Sequence, residues 1–227
     1  LHVFDFDKII GNITIRESKE GEKFIGLDDE EYVLHRGMIV ICDEEKIISL
    51  AGVLGGKNTA CDERTKNILL ESANFLPSEI ASTGRKLNIL SDSRYRFERG
   101  VDPNSTFDGI ELATEMILKH CGGKVGSIIS DSKVAQKESS IRVKKFFFER
   151  LLGIDIKESF IEQKLKGIGC KVLKDADEFD VFPPSWRSDI RIKEDLVEEI
   201  GRLYGYEKIP DIPLKFSNSN IKEITTD

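Results

Sequence analysis

Four stretches of the sequence carry side chains able to do chemistry. In ILLESANFLPSEI, residues 68–80, an apolar strand-like run ends in Glu71 and continues through small and apolar residues to Pro77. A carboxylate in such surroundings is expensive to bury unless something bonds to it, so Glu71 is a candidate ligand-sensing group. AGVLGGKNTA, residues 51–60, invites comparison with a phosphate-binding loop and fails it. Gly52 and Gly56 enclose three residues rather than four, and Asn58 follows Lys57 where Ser or Thr is needed. What remains is a tight structural turn, or a loop whose Gly55 and Gly56 let backbone approach a ligand or another strand. SDSRYRFERGVDP, residues 91–103, sets Arg94, Arg96 and Arg99 beside Tyr95 and Phe97. Such a segment could stack on nucleotides, or pair internally with Asp92, Glu98 and Asp102. In SWRSDIRIKEDLVEEIGRLYGY, residues 185–206, Asp195, Glu198 and Glu199 share one helix face, with Asp189 shortly before it. Clustered oxygen ligands suit Mg²⁺; the same run also reads as a solvated acidic face.

The elements that must position these groups belong to a chain of 227 residues, enough for one large domain or two ordinary ones. Hydrophobic content of 39% and charged content of 33% describe a globular protein with a well-charged surface, and no apolar run reaches the length of a membrane span. The opening LHVFDFDKII is not a signal peptide and begins inside a pattern, as expected of a piece of a longer chain. Cys42, Cys61, Cys121 and Cys170 form no CxxC pair. They argue against a zinc site or a disulfide framework, read as small buried hydrophobes, and suit a reducing cytoplasm. The net charge of −7 falls mostly before residue 137. That balance opposes a grip on a phosphate backbone along the whole chain.

The residue pattern predicts an α+β fold. Strands are expected at residues 12–16, 38–42, 46–51 and 67–72, a short helix after Pro77, a longer one over 105–121 and a strand over 125–129. The long helix places Ile110, Ala113, Ile117, Leu118 and Cys121 on one face. Residues 130–140 are polar and aperiodic, the best candidate linker. Domains are therefore expected over 1–136 and 137–213, with a tail over 214–227. The second domain runs strand 141–144, helices 146–152 and 158–168, a hairpin through 170–182 and a last helix 192–204. Helices followed by a hairpin suggest a winged-helix-like unit.

Read together, LHVFDFDKI, SLAGVLGGKNTA, ILLESANFLPSEI, SDSRYRFERGVDP and PPSWRSDIRIKEDLVEEIGRLYGYEKIP, in that order, closely resemble the β subunit of bacterial phenylalanyl-tRNA synthetase. The resemblance covers about residues 1–213 and implies the B3/B4 editing module, truncated at its start, followed by the B5 module. It implies hydrolysis of tyrosine mischarged onto tRNA(Phe), in an α2β2 cytoplasmic enzyme whose α subunit handles ATP and phenylalanine. No ATP site is expected on this chain. Glu71 matches the family's tyrosine-sensing glutamate, and Gly55 the glycine whose amide approaches the same hydroxyl. His2 and Ser91 match positions at the reacting end of the substrate, and Ser93 a wall position where many members have Ala. Asp189, Asp195, Glu198 and Glu199 match the family's magnesium carboxylates. The alternative is a non-catalytic fragment contributing subunit-interface and RNA contacts.

Overall fold

A computed structural model describes residues 1–130 and 140–211. The expected linker and the boundary at residue 136, like the tail over 214–227, lie outside or largely outside these residues. Two compact units result, residues 1–130 with Ser185–Ser188, and residues 140–184 with 189–211.

The first unit is built of short antiparallel strands with three helices. In chain order these are β1 (His2–Asp5), β2 (Thr14–Glu17), β3 (Lys23–Ile25), β4 (Glu31–Val33), β5 (Ile39–Cys42), β6 (Ile47–Leu50), β7 (Leu54–Gly55), β8 (Ile68–Glu71), α1 (Pro77–Lys86), α2 (Asp92–Phe97) and α3 (Ser105–Cys121). A four-stranded sheet runs β2-β5-β6-β7, while β3 pairs with β4 and β1 with β8. The continuous apolar run of β5 has a physical reason. Val40 and Cys42 enter one core with Phe24, Leu34, Met38 and Ile80; Ile41 enters another with Phe4, Ile48 and Ala51. A strand buried on both faces has no polar side to alternate.

The second unit comprises β9 (Ile141–Lys144), α4 (Lys145–Leu152), α5 (Glu158–Gly167), β10 (Lys171–Asp175), β11 (Glu178–Phe182) and α6 (Lys193–Tyr204). The hairpin β10-β11 takes β9 as its third strand, with β11 central, so the winged-helix-like order is present. Its core follows the two periodicities. Ile161 and Leu165 on α5, and Leu196 and Ile200 on α6, are one turn apart; Phe179 and Val181 on β11 are two residues apart. All six are buried around Phe148.

Three expectations change. No regular element forms over residues 125–129, where Val125, Ile128 and Ile129 are exposed. After the glycine pair 122–123 no described strand edge meets this segment, and unpaired apolar residues do not make a strand on their own. On α3, Ile110, Ala113 and Ile117 are half-buried as the stripe predicts, but Leu118 and Cys121 are exposed. Cys61 is exposed too, so only Cys42 and Cys170 are the buried hydrophobes expected; none of the four is in a disulfide. Among the described residues no helix is long and apolar enough to cross a membrane.

Phe148 is fully buried and meets Phe179 edge-on, with ring centroids 6.5 Å apart. Phe148→Ala should cost about 3–5 kcal/mol, read as a lowered denaturant midpoint with an unchanged slope.

Candidate functional site

The first unit contains a cavity of about 200 Å³ lined by His2, Leu27, Ser49, Gly55, Glu71, Ala73, Phe75, Ser91, Ser93 and Phe97, among others. It gathers all five residues named from the sequence for this site. Strand pairing does the first part of the work. In β1 and β8, His2 stands directly opposite Glu71. β7 then brings Gly55 against His2 so closely that a Cβ on Gly55 would collide with the imidazole. That close approach decides the open choice about the glycine loop: glycine is required there because a side chain must pass its backbone.

Glu71 is the unusual member. Its Oε2 is buried and has no hydrogen-bond partner among the described residues. Burial pushes its carboxyl up from the ordinary value of 4.5 to about 7. Burial likewise lowers His2 below its ordinary value, so the ring is neutral at pH 7. Antiparallel alternation turns the main-chain groups of Gly55 away from β6: its neighbour Gly56 donates to Ile48 O at 2.9 Å, whereas the Gly55 carbonyl accepts from Leu27 N at 3.0 Å. The cavity is therefore a slot with apolar walls at Leu27, Phe75 and Phe97 and polar groups at His2, Ser49, Ser91 and Ser93, in which Glu71 Oε2 lacks a donor among the described residues. At about 200 Å³ it falls below the ~300 Å³ at which pockets for drug-sized ligands begin, and suits a single aromatic side chain.

The two serines are engaged locally. Ser91 caps α2, its Oγ accepting from Arg94 N at 3.0 Å and donating to Val53 O at 2.5 Å. Ser93 Oγ donates to Gly52 O at 2.9 Å. The arginine-rich segment resolves as an ion-pair network centred on Glu98, bonded to Arg94 at 3.0 Å and Arg99 at 2.9 Å. Asp102 instead accepts from Asn104 N at 2.9 Å. The Arg99 guanidinium also lies 3.7 Å above the Tyr95 ring.

Sequence reasoning missed Leu27, Ser49, Ala73, Phe75 and Phe97 as lining residues. Leu27 and Ser49 come from segments distant in sequence, but Ala73 and Phe75 follow Glu71 at two-residue steps and Phe97 lies one turn beyond Ser93, spacings that could have suggested them. Helix α2 itself was findable: Ser91 followed by Asp92 in the first turn is a helix-start signal. A larger, more open groove of about 510 Å³ crosses β2, β3 and β5, but its main charges are spent on each other. Arg16 pairs with Glu22 at 2.9 Å, Lys23 with Glu31 at 2.7 Å, and Asp43 accepts from three backbone amides.

In the second unit the four candidate metal carboxylates are not drawn into one cage. Asp195 Oδ2 accepts from Arg191 N and Ile192 N at 2.8 and 2.9 Å, closing the first turn of α6. Glu199 is buried and pairs with Arg202 at 2.6 Å, while Glu198 is exposed. Among the described residues no group of three or more His, Cys, Asp or Glu side chains is placed to hold a metal ion.

Glu71 also makes stability pH-dependent. Below pH 4.5 the carboxyl is protonated whether the chain is folded or not. Above that the unfolded chain releases the proton first, so stability falls as pH rises and the loss is complete above about pH 7. In denaturant titrations, Glu71→Gln should gain on the parent by up to about 3 kcal/mol between pH 4.5 and pH 8.

Two family models match the chain: the B3/4 domain over residues 1–122 and the tRNA synthetase B5 domain over residues 141–206. Curated relatives include the phenylalanine–tRNA ligase beta subunits of Paramagnetospirillum magneticum, 44% identical over 214 residues, and of Brucella abortus, 43% identical over 217 residues. Each alignment covers 94% of this chain and 27% of the relative, so the chain spans about a quarter of their length. A crystal structure of an N-terminal fragment of the phenylalanyl-tRNA synthetase beta-subunit from Pyrococcus horikoshii is similar with a TM-score of 0.47 and 18% identity, over 90% of this chain and 59% of that one.

Proposed function

The chain belongs to the phenylalanine–tRNA ligase beta-subunit family, and from that premise we propose that its first unit hydrolyses tyrosine mischarged onto tRNA(Phe). The observation that carries this reading is the buried, donor-less Oε2 of Glu71 at an aromatic-sized cavity. A phenol hydroxyl is the donor that oxygen lacks. Phenylalanine fills the same slot and leaves the carboxylate unsatisfied, so the pocket distinguishes the two amino acids by the group in which they differ. A second, hydroxyl-sensing site is useful because an apolar synthetic site rejects an added hydroxyl by only about a hundredfold.

In the proposed reaction water attacks the ester carbonyl, and tyrosine leaves from the tRNA ribose. Glu71 accepts the phenol hydrogen bond and Gly55 lets the backbone approach the same hydroxyl. Neutral His2, across from Glu71 on the paired strand, has a ring nitrogen able to accept a hydrogen bond from the attacking water or from the terminal ribose. No step passes through a metal ion.

For the second unit we propose support of the assembly with the α subunit. It exposes Phe146, Ile192 and Tyr206, large apolar groups that a protein partner would cover. In this reading ATP and phenylalanine belong to the catalytic α subunit, Asp189, Asp195, Glu198 and Glu199 would hold Mg²⁺ shared with that subunit, and the enzyme acts in the cytoplasm as α2β2. The alternative, a scaffold without editing, predicts association with the α subunit and no deacylation.

The test is deacylation of tyrosyl-tRNA(Phe) and phenylalanyl-tRNA(Phe) by the full enzyme carrying Glu71→Ala. Loss of one charge-assisted hydrogen bond should lower the tyrosine-to-phenylalanine rate ratio about 10- to 100-fold. An unchanged ratio contradicts the assignment. The preference in the parent should also strengthen from pH 6 to pH 8, as Glu71 ionises and becomes the stronger acceptor.

A further inference from the structure

The hydrogen bonds of α2 reach beyond its own helix. Ser91 and Ser93 donate to two consecutive carbonyls, those of Val53 and Gly52. These belong to the turn that leaves β6, passes through Gly52 at φ +66°, and delivers Gly55 to the cavity. On the same helix, Phe97 lies one turn beyond Ser93, lines the cavity and meets Phe75 edge-on at 5.0 Å. Arg94 fixes the other side of α2 by donating to Ile89 O at 2.6 Å and Glu98 at 3.0 Å.

Each serine hydroxyl has a single proton. Ser91 gives its proton to Val53 and accepts from the Arg94 amide, which leaves no proton for a water or a substrate oxygen. Its proton is spent on the main chain.

We infer that Ser91 and Ser93 are positioning residues for side-chain selection: together they clamp the Gly52–Val53 turn to α2 and so hold the Gly55 wall closed against Glu71. This rests on the reading of the cavity as a tyrosyl pocket. The link to selectivity is water. With the clamp intact, the Gly55 wall limits the access of water to Glu71 Oε2, which has no donor among the described residues, and a donor carried in by the ligand gains the most there. Without it, two carbonyls are released beside the cavity, water enters to solvate them, and the same water satisfies Glu71. A solvated Glu71 no longer favours tyrosine.

The test compares the parent with Ser91→Ala, Ser93→Ala, the double variant, and Ser91→Thr, which retains the hydroxyl. Two readouts are needed: kinetics of tyrosyl- and phenylalanyl-tRNA hydrolysis in the full enzyme, and the ¹³C-detected titration of the Glu71 carboxyl in the 227-residue chain. Each lost serine bond should lower the tyrosine-to-phenylalanine ratio by about tenfold, falling on KM more than on kcat. Glu71 should titrate lower in the double variant than in the parent, and Ser91→Thr should restore both readouts. A Ser91→Ala enzyme that loses kcat, with ratio and titration unchanged, overturns the inference in favour of a catalytic serine. If the parent hydrolyses neither ester, the editing reading fails by itself. The titration then decides the clamp alone, and an unshifted Glu71 in the double variant rejects it. Should the double variant not fold, the two single variants carry the same readouts.

Discussion

A carboxylate oxygen held out of water with no donor beside it is a cost that few folds tolerate, and the first unit is arranged to sustain one. Glu71 sits at the end of β8, where pairing with β1 sets His2 opposite it. The glycine of β7 admits the imidazole, and α2 closes the far wall. Each of these contacts helps to bury Glu71 Oε2. Burial raises the Glu71 proton affinity and makes a ligand hydroxyl worth more there than in water. Selectivity and destabilisation thus share one origin.

The second unit shows the opposite treatment of the same chemical group. Asp195 is consumed by two backbone amides at a helix start, and Glu199 by an arginine one turn away. Carboxylates that meet such donors stabilise a fold. On a sequence both sets of carboxylates look equally promising; what separates them is whether a donor is already present. The unit has a well-formed core around Phe148 and leaves Phe146 and Tyr206 exposed.

Much of the fold was legible because its elements are locally periodic. The stripes of α5 and α6, the hairpin β10-β11 and the helix over 105–121 all follow from spacing alone, with boundaries within a residue or two. The charged hairpin β3-β4 was not, since Lys23–Ile25 and Glu31–Val33 carry no apolar run and form through pairing with each other. At the site, Glu71 and Gly55 stood out as residues out of keeping with their neighbours. Leu27 and Phe97 did not, because an apolar residue lining a cavity resembles any other apolar residue until distant strands meet. Ser91 illustrates a subtler gap: its position was identified, but its role depends on two backbone partners that only the folded chain supplies.

The central claim is that Glu71 waits for a phenol hydroxyl. The most direct measurement is the ¹³C-detected titration of its carboxyl with tyrosine or phenylalanine bound. The account predicts that tyrosine, by donating to the ionised form, lowers the Glu71 pKa relative to the phenylalanine complex. Identical titrations in the two complexes would contradict it.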